Sequence, residues 1–272
     1  MPELPEVETV KNTLKRLVLN KKIINVTVRY DNIIAYPSVS EFKKEIINQS
    51  IKDIKRRGKW LMFELDNYYL VSHLRMEGKY FLKDKNDEIN KHEHVIFEFD
   101  DNELRYQDTR KFGRMYLVKK EDVYDVAPLK DLGLEPWDDN LNSKYLKSKY
   151  ISKRLPIKTL LLDQSIITGI GNIYADEILF LSHINPLTQA SNLTESNLND
   201  IIKYTRKILE EAIKQGGTTI RSYESAEGVH GRFQNNLLVH NHEGDKCPDC
   251  GDTIIKITVN GRGTYYCPTC QK

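Results

Sequence analysis

Residues 247–270 read Cys-Pro-Asp-Cys-Gly-Asp-Thr-Ile-Ile-Lys-Ile-Thr-Val-Asn-Gly-Arg-Gly-Thr-Tyr-Tyr-Cys-Pro-Thr-Cys. Two Cys-x-x-Cys pairs, Cys247/Cys250 and Cys267/Cys270, stand sixteen residues apart, and between them the β-rich runs Ile254 to Val259 and Arg262 to Tyr266 flank Asn260-Gly261. Asn-Gly between such runs is a strong signal for a two-residue hairpin turn. Thiolates are soft ligands, and two pairs at this spacing close a tetrahedral shell around one Zn2+. A redox dithiol or unpaired core cysteines would not explain why all four cysteines of the chain lie in its last 26 residues. Residues 237–272 therefore read as a β-hairpin zinc finger, with Arg262 beside its exposed tip and with His240 and His242 outside the ligand set.

Upstream of the finger the chain changes character twice. From Ile23 to Val118 it is a succession of short runs rich in Val, Ile, Phe and Tyr, among them Ile24 to Tyr30, Trp60 to Leu65, Tyr68 to Leu74 and His94 to Phe99. Turn residues such as Asp66-Asn67, Gly78 and Asp100-Asp101-Asn102 punctuate them, which predicts a mostly antiparallel sandwich or barrel. One helix precedes it: Pro5 suits the first helical position, Glu6 and Glu8 favour the positive end of the dipole, and Val7, Val10, Leu14, Leu17 and Val18 form an apolar stripe. A second short helix is expected from Ser40. Between Glu121 and Asn140 periodicity fades around Pro128, Gly133 and Pro136, which marks a boundary. Leu155 to Leu162, Asn172 to Leu181 and Leu193 to Lys214 then read as helices, the last ended by Gly216-Gly217. The expected fold class is α+β, with a sandwich domain at 1–132, a linker at 133–150, a helical domain at 151–236 and the finger at 237–272.

Composition bounds the function. With 39% hydrophobic and 29% charged residues over 272 positions, the chain sits near the globular average. Asp163 and Asp176 bracket only twelve uncharged residues in the longest apolar region, far short of a spanning helix, so no membrane association is expected. The opening Met1-Pro2-Glu3-Leu4-Pro5-Glu6 is acidic and proline-broken, unlike a secretory signal, which predicts an intracellular, cytoplasmic protein. The net charge of +2 leaves any nucleic-acid surface to local clustering.

The N-terminus carries the most unusual chemistry. Removal of the initiator methionine would free the imino nitrogen of Pro2. A secondary amine that attacks a sugar carbon gives a cationic iminium directly, an electron sink for elimination. An α-amino group also titrates near neutrality, at about 7.7 to 8.0. Glu3 beside it could protonate a sugar oxygen. Taken alone, Pro and Glu here read more readily as ordinary helix-capping residues than as catalysts.

The run Met1-Pro2-Glu3-Leu4-Pro5-Glu6-Val7-Glu8-Thr9 resembles the signature start of bacterial formamidopyrimidine-DNA glycosylases, which are base-excision repair enzymes. The similarity recurs at Arg56-Arg57-Gly58-Lys59, His73-Leu74-Arg75-Met76-Glu77-Gly78, Asp108-Thr109-Arg110-Lys111-Phe112-Gly113, Gly169-Ile170-Gly171-Asn172-Ile173-Tyr174-Ala175 and the cysteine hairpin. The resemblance implies that Pro2 is the Schiff-base nucleophile and Glu3 the catalytic acid. Glu6 matches a second acidic position, structural or catalytic, and Lys59 an active-site lysine that contacts phosphate. A basic run such as Lys55-Arg56-Arg57 is by itself usually a solvated face.

A glycosylase extrudes its target nucleotide and must fill the gap. Met76, Arg110 and Phe112 resemble the family's three void-filling residues, the apolar ones replacing stacking and Arg110 pairing with the orphaned base. Core packing is the competing assignment for Met76 and Phe112, but the run Arg110-Lys111-Phe112-Gly113-Arg114 is too basic for a buried strand. Gly169-x-Gly171 is no dinucleotide fingerprint, since Tyr174 stands at the third glycine position and no β-run precedes it. It resembles the family's helix-two-turn-helix, whose second helix would begin at Asn172 and hold phosphate at its N-terminus. On the same resemblance His92, Lys158, Asn172 and Arg262 contact DNA, with Arg262 also reaching the active site. The family's lesion-sensing loop falls at 218–231.

The resemblance departs from the family pattern in three places. His240-Asn241-His242 replaces a usual Tyr-Gly-Arg, which predicts DNA affinity that rises modestly as pH falls through about 6.5. Thr109 and Lys111 replace a common Pro and Arg. The implied protein is a monomeric glycosylase and lyase with one structural Zn2+. It would act on oxidised purines and abasic sites in double-stranded DNA and associate with the nucleoid through that DNA. Two alternatives stay open, an endonuclease VIII-like glycosylase for oxidised pyrimidines and a non-catalytic binder of damaged DNA. Leu4 and the Met76, Arg110, Phe112 set favour the purine branch, and the Pro2-Glu3 pair argues against a pure binder.

Overall fold

The computed structural model describes residues 1–218 and 232–272. All but Thr218 of the expected lesion-sensing loop therefore lies outside the described residues. Two compact units are present, one holding Met1–Asp131 with Gly216, Gly217 and Thr218, the other Leu132–Gln215 and Arg232–Lys272.

In the first unit, helix α1 (Leu4–Val18) and helix α2 (Val39–Ile46) accompany nine strands: β1 (Asn25–Val28), β2 (Ile34–Tyr36), β3 (Asp53–Arg57), β4 (Trp60–Glu64), β5 (Tyr68–His73), β6 (Lys79–Lys83), β7 (Glu93–Glu98), β8 (Glu103–Gln107) and β9 (Arg114–Lys119). They form a four-stranded sheet, β1-β7-β8-β6, and a five-stranded sheet, β2-β9-β5-β4-β3. All pairs are antiparallel except β2 with β9. Val95, Phe97 and Leu104 of the first sheet share one core with Leu61, Phe63 and Leu117 of the second. The aromatic pair Phe63 and Tyr80 joins the sheets at 5.6 Å between centroids. Side chains that alternate across a strand bury one face of each sheet in this way, and the sandwich is as expected.

The expected α1 stripe forms: Val7, Val10, Leu14 and Val18 are buried in the sandwich core, with Leu17 partly so. Helix α2 begins at Val39 instead of Ser40, because the Ser38 hydroxyl accepts the Glu41 N–H and caps it.

The second unit contains helices α3 (Ser143–Tyr150), α4 (Ile157–Leu161), α5 (Asn172–Leu181) and α6 (Glu195–Lys214), followed by strands β10 (Ile255–Val259) and β11 (Arg262–Tyr266). The stretch 133–150, expected as a linker, holds α3, whose Leu146 and Tyr150 are buried. It also holds the bridge from Leu134 to Ile167. Helix α5 is buried from Ile173 to Phe180, as an almost wholly apolar helix must be. Gly169 adopts φ 98° in the turn before it, a conformation that favours glycine. At the hairpin tip Asn260 (φ 47°) and Gly261 (φ 73°) both take left-handed conformations, as a tight β-turn between twisted strands requires. No helix among the described residues is long and apolar enough to cross a membrane.

Candidate active site and nucleic-acid interface

The N-terminus of α1 is held by carboxylates. Glu6 Oε2 accepts the Glu3 N–H at 2.8 Å, one half of a capping box. Its Oε1 accepts the N–H of Thr218 at 2.7 Å and the hydroxyl of Thr218 at 3.1 Å. A Cβ on Gly217 would stand 2.5 Å from that same Oε1, so only glycine lets the chain come this close. Pro2 and Glu3 are buried at this end, Glu3 with 2% exposure, whereas Met1 is 42% exposed.

Lys59 lies in the tight turn between β3 and β4, where Arg57 pairs with Trp60 and Gly58 has φ 56°. It is 5% exposed. Arg56 ties this turn to α1, since its Nε donates to Glu8 Oε2 at 2.8 Å and its Nη1 to the Gly58 carbonyl at 3.0 Å. Burial pulls the Glu8 carboxyl upward, but hydrogen bonds from Lys11 and Arg56 hold it below its ordinary range. Beside the turn, His73 stacks edge-on to Trp60 at 4.6 Å, and its Nδ1 accepts the Arg75 N–H. Burial, then the charges of Arg75 and Lys59, push His73 down to about 3. A neutral imidazole therefore sits beside the lysine.

The three expected void-fillers occupy two loops of this unit. Met76 is half-buried, Phe112 is 48% exposed, and the Arg110 guanidinium lies 4.8 Å from the Phe112 ring centroid. One buried carboxylate shapes the second loop. Asp108 accepts the N–H groups of Arg110, Phe112 and Gly113 at 2.8–2.9 Å. Its own N–H donates to the His92 carbonyl at 3.0 Å, which joins His92 to the Arg110 loop. Fully buried Arg105 fixes the segment before His92 by donating to Glu93 and to the carbonyls of Asp84, Asp87 and Glu88.

In the second unit two residues expected to contact DNA, Lys158 and Asn172, converge on one carbonyl. Gly263 O accepts from Lys158 Nζ at 3.1 Å and from Asn172 Nδ2 at 2.9 Å, and Arg262 precedes it on the hairpin. Arg262 is exposed and enters no ion pair among the described residues. Lys158, which the resemblance implies contacts the DNA backbone, is buried here. Its side chain is 0% exposed, and its Nζ reaches Asp176 Oδ1 at 2.5 Å and Thr264 Oγ1 at 2.8 Å. A desolvated ammonium must be paired, and Asp176 supplies the charge. His240 is buried as well, and its Nδ1 lies 2.7 Å from Asp176 Oδ2. His242 is more exposed and pairs with Asp245.

Several of these groups were not singled out in the sequence. Glu177 is fully buried and accepts the N–H groups of Leu238, Val239 and His240 at 2.7–3.0 Å, which anchors the finger to α5. Its signal was an adjacent acid pair, Asp176-Glu177, inside an apolar helix. Lys144, Lys147, Lys149, Lys153 and Arg154 are exposed, and none is ion-paired among the described residues. That local charge surplus is the clustering a near-neutral chain needs for phosphate binding.

The four cysteine sulfurs lie within 4.8 Å of one another, with Cys247 to Cys270 at 3.7 Å and Cys250 to Cys267 at 3.6 Å. A tetrahedron of Zn–S bonds of about 2.3 Å has edges of about 3.8 Å, so the donor set fits zinc. The separations are far beyond a disulfide bond.

Three family models cover most of the chain: the formamidopyrimidine-DNA glycosylase N-terminal domain at residues 1–115, the H2TH domain of the same enzymes at 132–224, and a zinc finger found in them and in isoleucyl-tRNA synthetase at 244–272. The chain belongs to the formamidopyrimidine-DNA glycosylase family. The enzyme of that name from Oceanobacillus iheyensis is 47% identical over 273 residues, covering 100% of this chain and 98% of the relative. That from Exiguobacterium sibiricum is 48% identical over 274 residues, covering 100% and 99%. Among solved structures, the Lactococcus lactis enzyme in complex with abasic-site DNA superimposes with a TM-score of 0.94 at 41% identity, with full coverage of both chains. The same enzyme bound to DNA that contains an oxidised pyrimidine gives 0.92 at 40% identity, again with full coverage of both chains. A formamidopyrimidine-DNA glycosylase is a base-excision repair enzyme that removes damaged bases from DNA and has lyase activity at abasic sites. The four cysteines are the ligand set of its structural zinc.

Proposed function

We propose that this glycosylase removes oxidised purines from double-stranded DNA and cleaves the strand through a Schiff base on Pro2. One observation carries the proposal: Pro2 and Glu3 are buried together at an α1 terminus that Glu6 immobilises through three hydrogen bonds. While Met1 is attached, the Pro2 nitrogen is an amide without a nucleophilic lone pair. Its removal yields a secondary amine. The amine attacks the sugar C1′, the bond to the base breaks, and the base leaves with that electron pair and takes up a proton. Loss of the amine proton and protonation of the ring oxygen by Glu3 open the sugar to a cationic iminium. The iminium acidifies the adjacent C–H, so β-elimination expels the 3′ phosphate and δ-elimination the 5′ phosphate.

The remaining residues divide between positioning and contact. Glu6, which accepts from Glu3 and Thr218, is a positioning residue. Lys59 meets phosphate beside the lesion, and neutral His73 adds no competing charge. Met76, Phe112 and Arg110 fill the void left by the extruded base. Arg262, Asn172 and His92 hold the backbone, and Lys158 acts through Gly263 and Asp176 instead of touching DNA. The zinc, held by Cys247, Cys250, Cys267 and Cys270, fixes the hairpin that carries Arg262. We further propose that the enzyme works as a monomer in the cytoplasm, in contact with the nucleoid through its substrate. A set of four reduced thiolates supports that compartment.

Single-turnover excision from matched duplexes carrying 8-oxoguanine opposite cytosine or an oxidised pyrimidine tests the substrate assignment. Faster release of the purine supports it. A pyrimidine preference would place the chain with the endonuclease VIII-like activity, a substrate class suggested by the Lactococcus complex with oxidised-pyrimidine DNA.

A further inference from the structure

A pocket of about 640 Å3 opens in the first unit at the β2 edge of the five-stranded sheet, between β2, the start of β5, β9 and helix α2. None of Pro2, Glu3, Glu6, Lys59, Met76, Arg110 and Phe112 lines it. Its size is that of a small-ligand site. Three tyrosines, Tyr36, Tyr68 and Tyr116, and three carboxylates, Glu41, Glu45 and Asp122, line it, against the single ammonium of Lys119.

The groups are held in distinct ways. Tyr68 donates its hydroxyl to Glu45 Oε2 at 2.8 Å, and Glu45 Oε1 lies 3.6 Å from the exposed Nζ of Lys44. Tyr116 pairs with Val71, so its ring projects from the sheet face opposite to Tyr68 and Leu117 and packs edge-on against Trp60 at 5.8 Å between centroids. Tyr36 is 56% exposed at the mouth. Glu41 and Asp122 enter no ion pair among the described residues. The field inside is negative: the hydrogen bond to Glu45, then burial, then the charges of Glu45, Glu41 and Glu121 all raise the Tyr68 hydroxyl above its ordinary value.

An anion would meet repulsion from every carboxylate here, and an apolar ligand would desolvate them without compensation. Aromatic faces and carboxylates together attract a cation with apolar bulk. We propose that this pocket binds an organic cation, an alkylammonium or guanidinium group seated against Tyr36 and Tyr68 and neutralised by Glu41, Glu45 and Asp122. The same chemistry is offered by a free polyamine and by a lysine or arginine side chain of a partner protein.

The position gives a readout independent of catalysis. Trp60 pairs with His73 at the far end of β5, about 17 Å along the strand from Tyr68, yet its ring touches Tyr116. The chain has two tryptophans, so Trp137→Phe leaves Trp60 as the sole reporter. In that DNA-free background, Trp60 fluorescence and calorimetry would follow titration with spermidine, with the blocked peptide Ala-Arg-Ala, and with inorganic phosphate at matched ionic strength.

A saturable one-to-one response is expected to spermidine, the peptide or both, and not to phosphate. A response to spermidine alone assigns a free polyamine, and a response to the peptide assigns a protein side chain. Glu45→Gln keeps an acceptor for Tyr68, and both it and Tyr36→Ala should weaken binding about tenfold while leaving strand cleavage unchanged. No saturable response to either cation would overturn the proposal, as would affinity unaltered in both variants or tighter binding of phosphate.

Discussion

Lys158 Nζ lies 2.5 Å from Asp176 Oδ1, and both side chains are fully buried. The pair links α4 to α5, and through Gly263 O and Thr264 Oγ1 it reaches the hairpin strand that begins with Arg262. Removing one partner of a buried ion pair strands the other charge. Asp176→Ala should therefore cost about 3–5 kcal/mol in denaturant unfolding of the second unit. The double variant Lys158→Met, Asp176→Leu, which removes both charges, should recover much of that loss. A single variant as stable as the wild type would show that the pair contributes nothing.

Asp108 and Tyr106 shape the loop that presents Phe112. A Cβ on Gly113 would stand 1.7 Å from Tyr106 Oη, and one on Gly78, in the Met76 loop, 2.3 Å from the same atom. Gly113→Ala should displace the loop at about 1–3 kcal/mol of stability, typical of overpacking, and slow base extrusion followed by 2-aminopurine fluorescence. Tyr106→Phe, which removes the hydroxyl, should partly rescue extrusion in the double variant. Normal extrusion by Gly113→Ala alone would contradict this tight packing.

The finger has little core of its own, with Phe180, Val239, Cys247, Ile254 and Cys267 as its buried cluster. Its fold then depends on the metal. Chelation of zinc, or Cys267→Ser, should release the amides of β10 and β11 to hydrogen exchange and weaken DNA binding at least as much as Arg262→Ala does. The sandwich core of the first unit should retain its protection. Finger amides that stay protected after verified zinc loss would refute the dependence.

His73 makes stability fall on the acid side. Its folded value, about 3, lies below the ordinary 6.5. The unfolded chain therefore takes up a proton below about 6.5 that the folded protein refuses until about 3. The stability His73 contributes is complete above 6.5 and is lost as pH falls through that window. Between pH 6.5 and 5 this loss amounts to about 1.5 kcal/mol. His73→Gln should flatten the stability profile over this range, where most carboxylates stay ionised. An unchanged slope would assign the acid sensitivity to other groups.

Much of this structure was legible in local pattern. The α1 stripe, the bounds of α5 and the Asn260-Gly261 hairpin all follow from periodicity and turn chemistry that act over a few residues. Helix α3 was hidden because its run, Ser143–Tyr150, has only Leu146 and Tyr150 to bury and is otherwise polar. The burial of Lys158 was not legible. It depends on Asp176, eighteen residues on, and Thr264, 106 residues on, and only the tertiary fold brings them together. The contact of His240 with that same aspartate was not legible for the same reason. At the catalytic end, the family motif marked Pro2 and Glu3, while the clamp from Glu6 to Thr218 spans 212 residues and no local pattern encodes it.

Borohydride trapping on abasic-site DNA, with the modified residue mapped by mass spectrometry, tests the assignment of Pro2 most directly. Protein lacking Met1 should form a covalent adduct at Pro2, and protein that retains Met1 should form none and should leave the strand uncut. An adduct at Lys59 or another lysine, or full strand cleavage with Met1 in place, would contradict it.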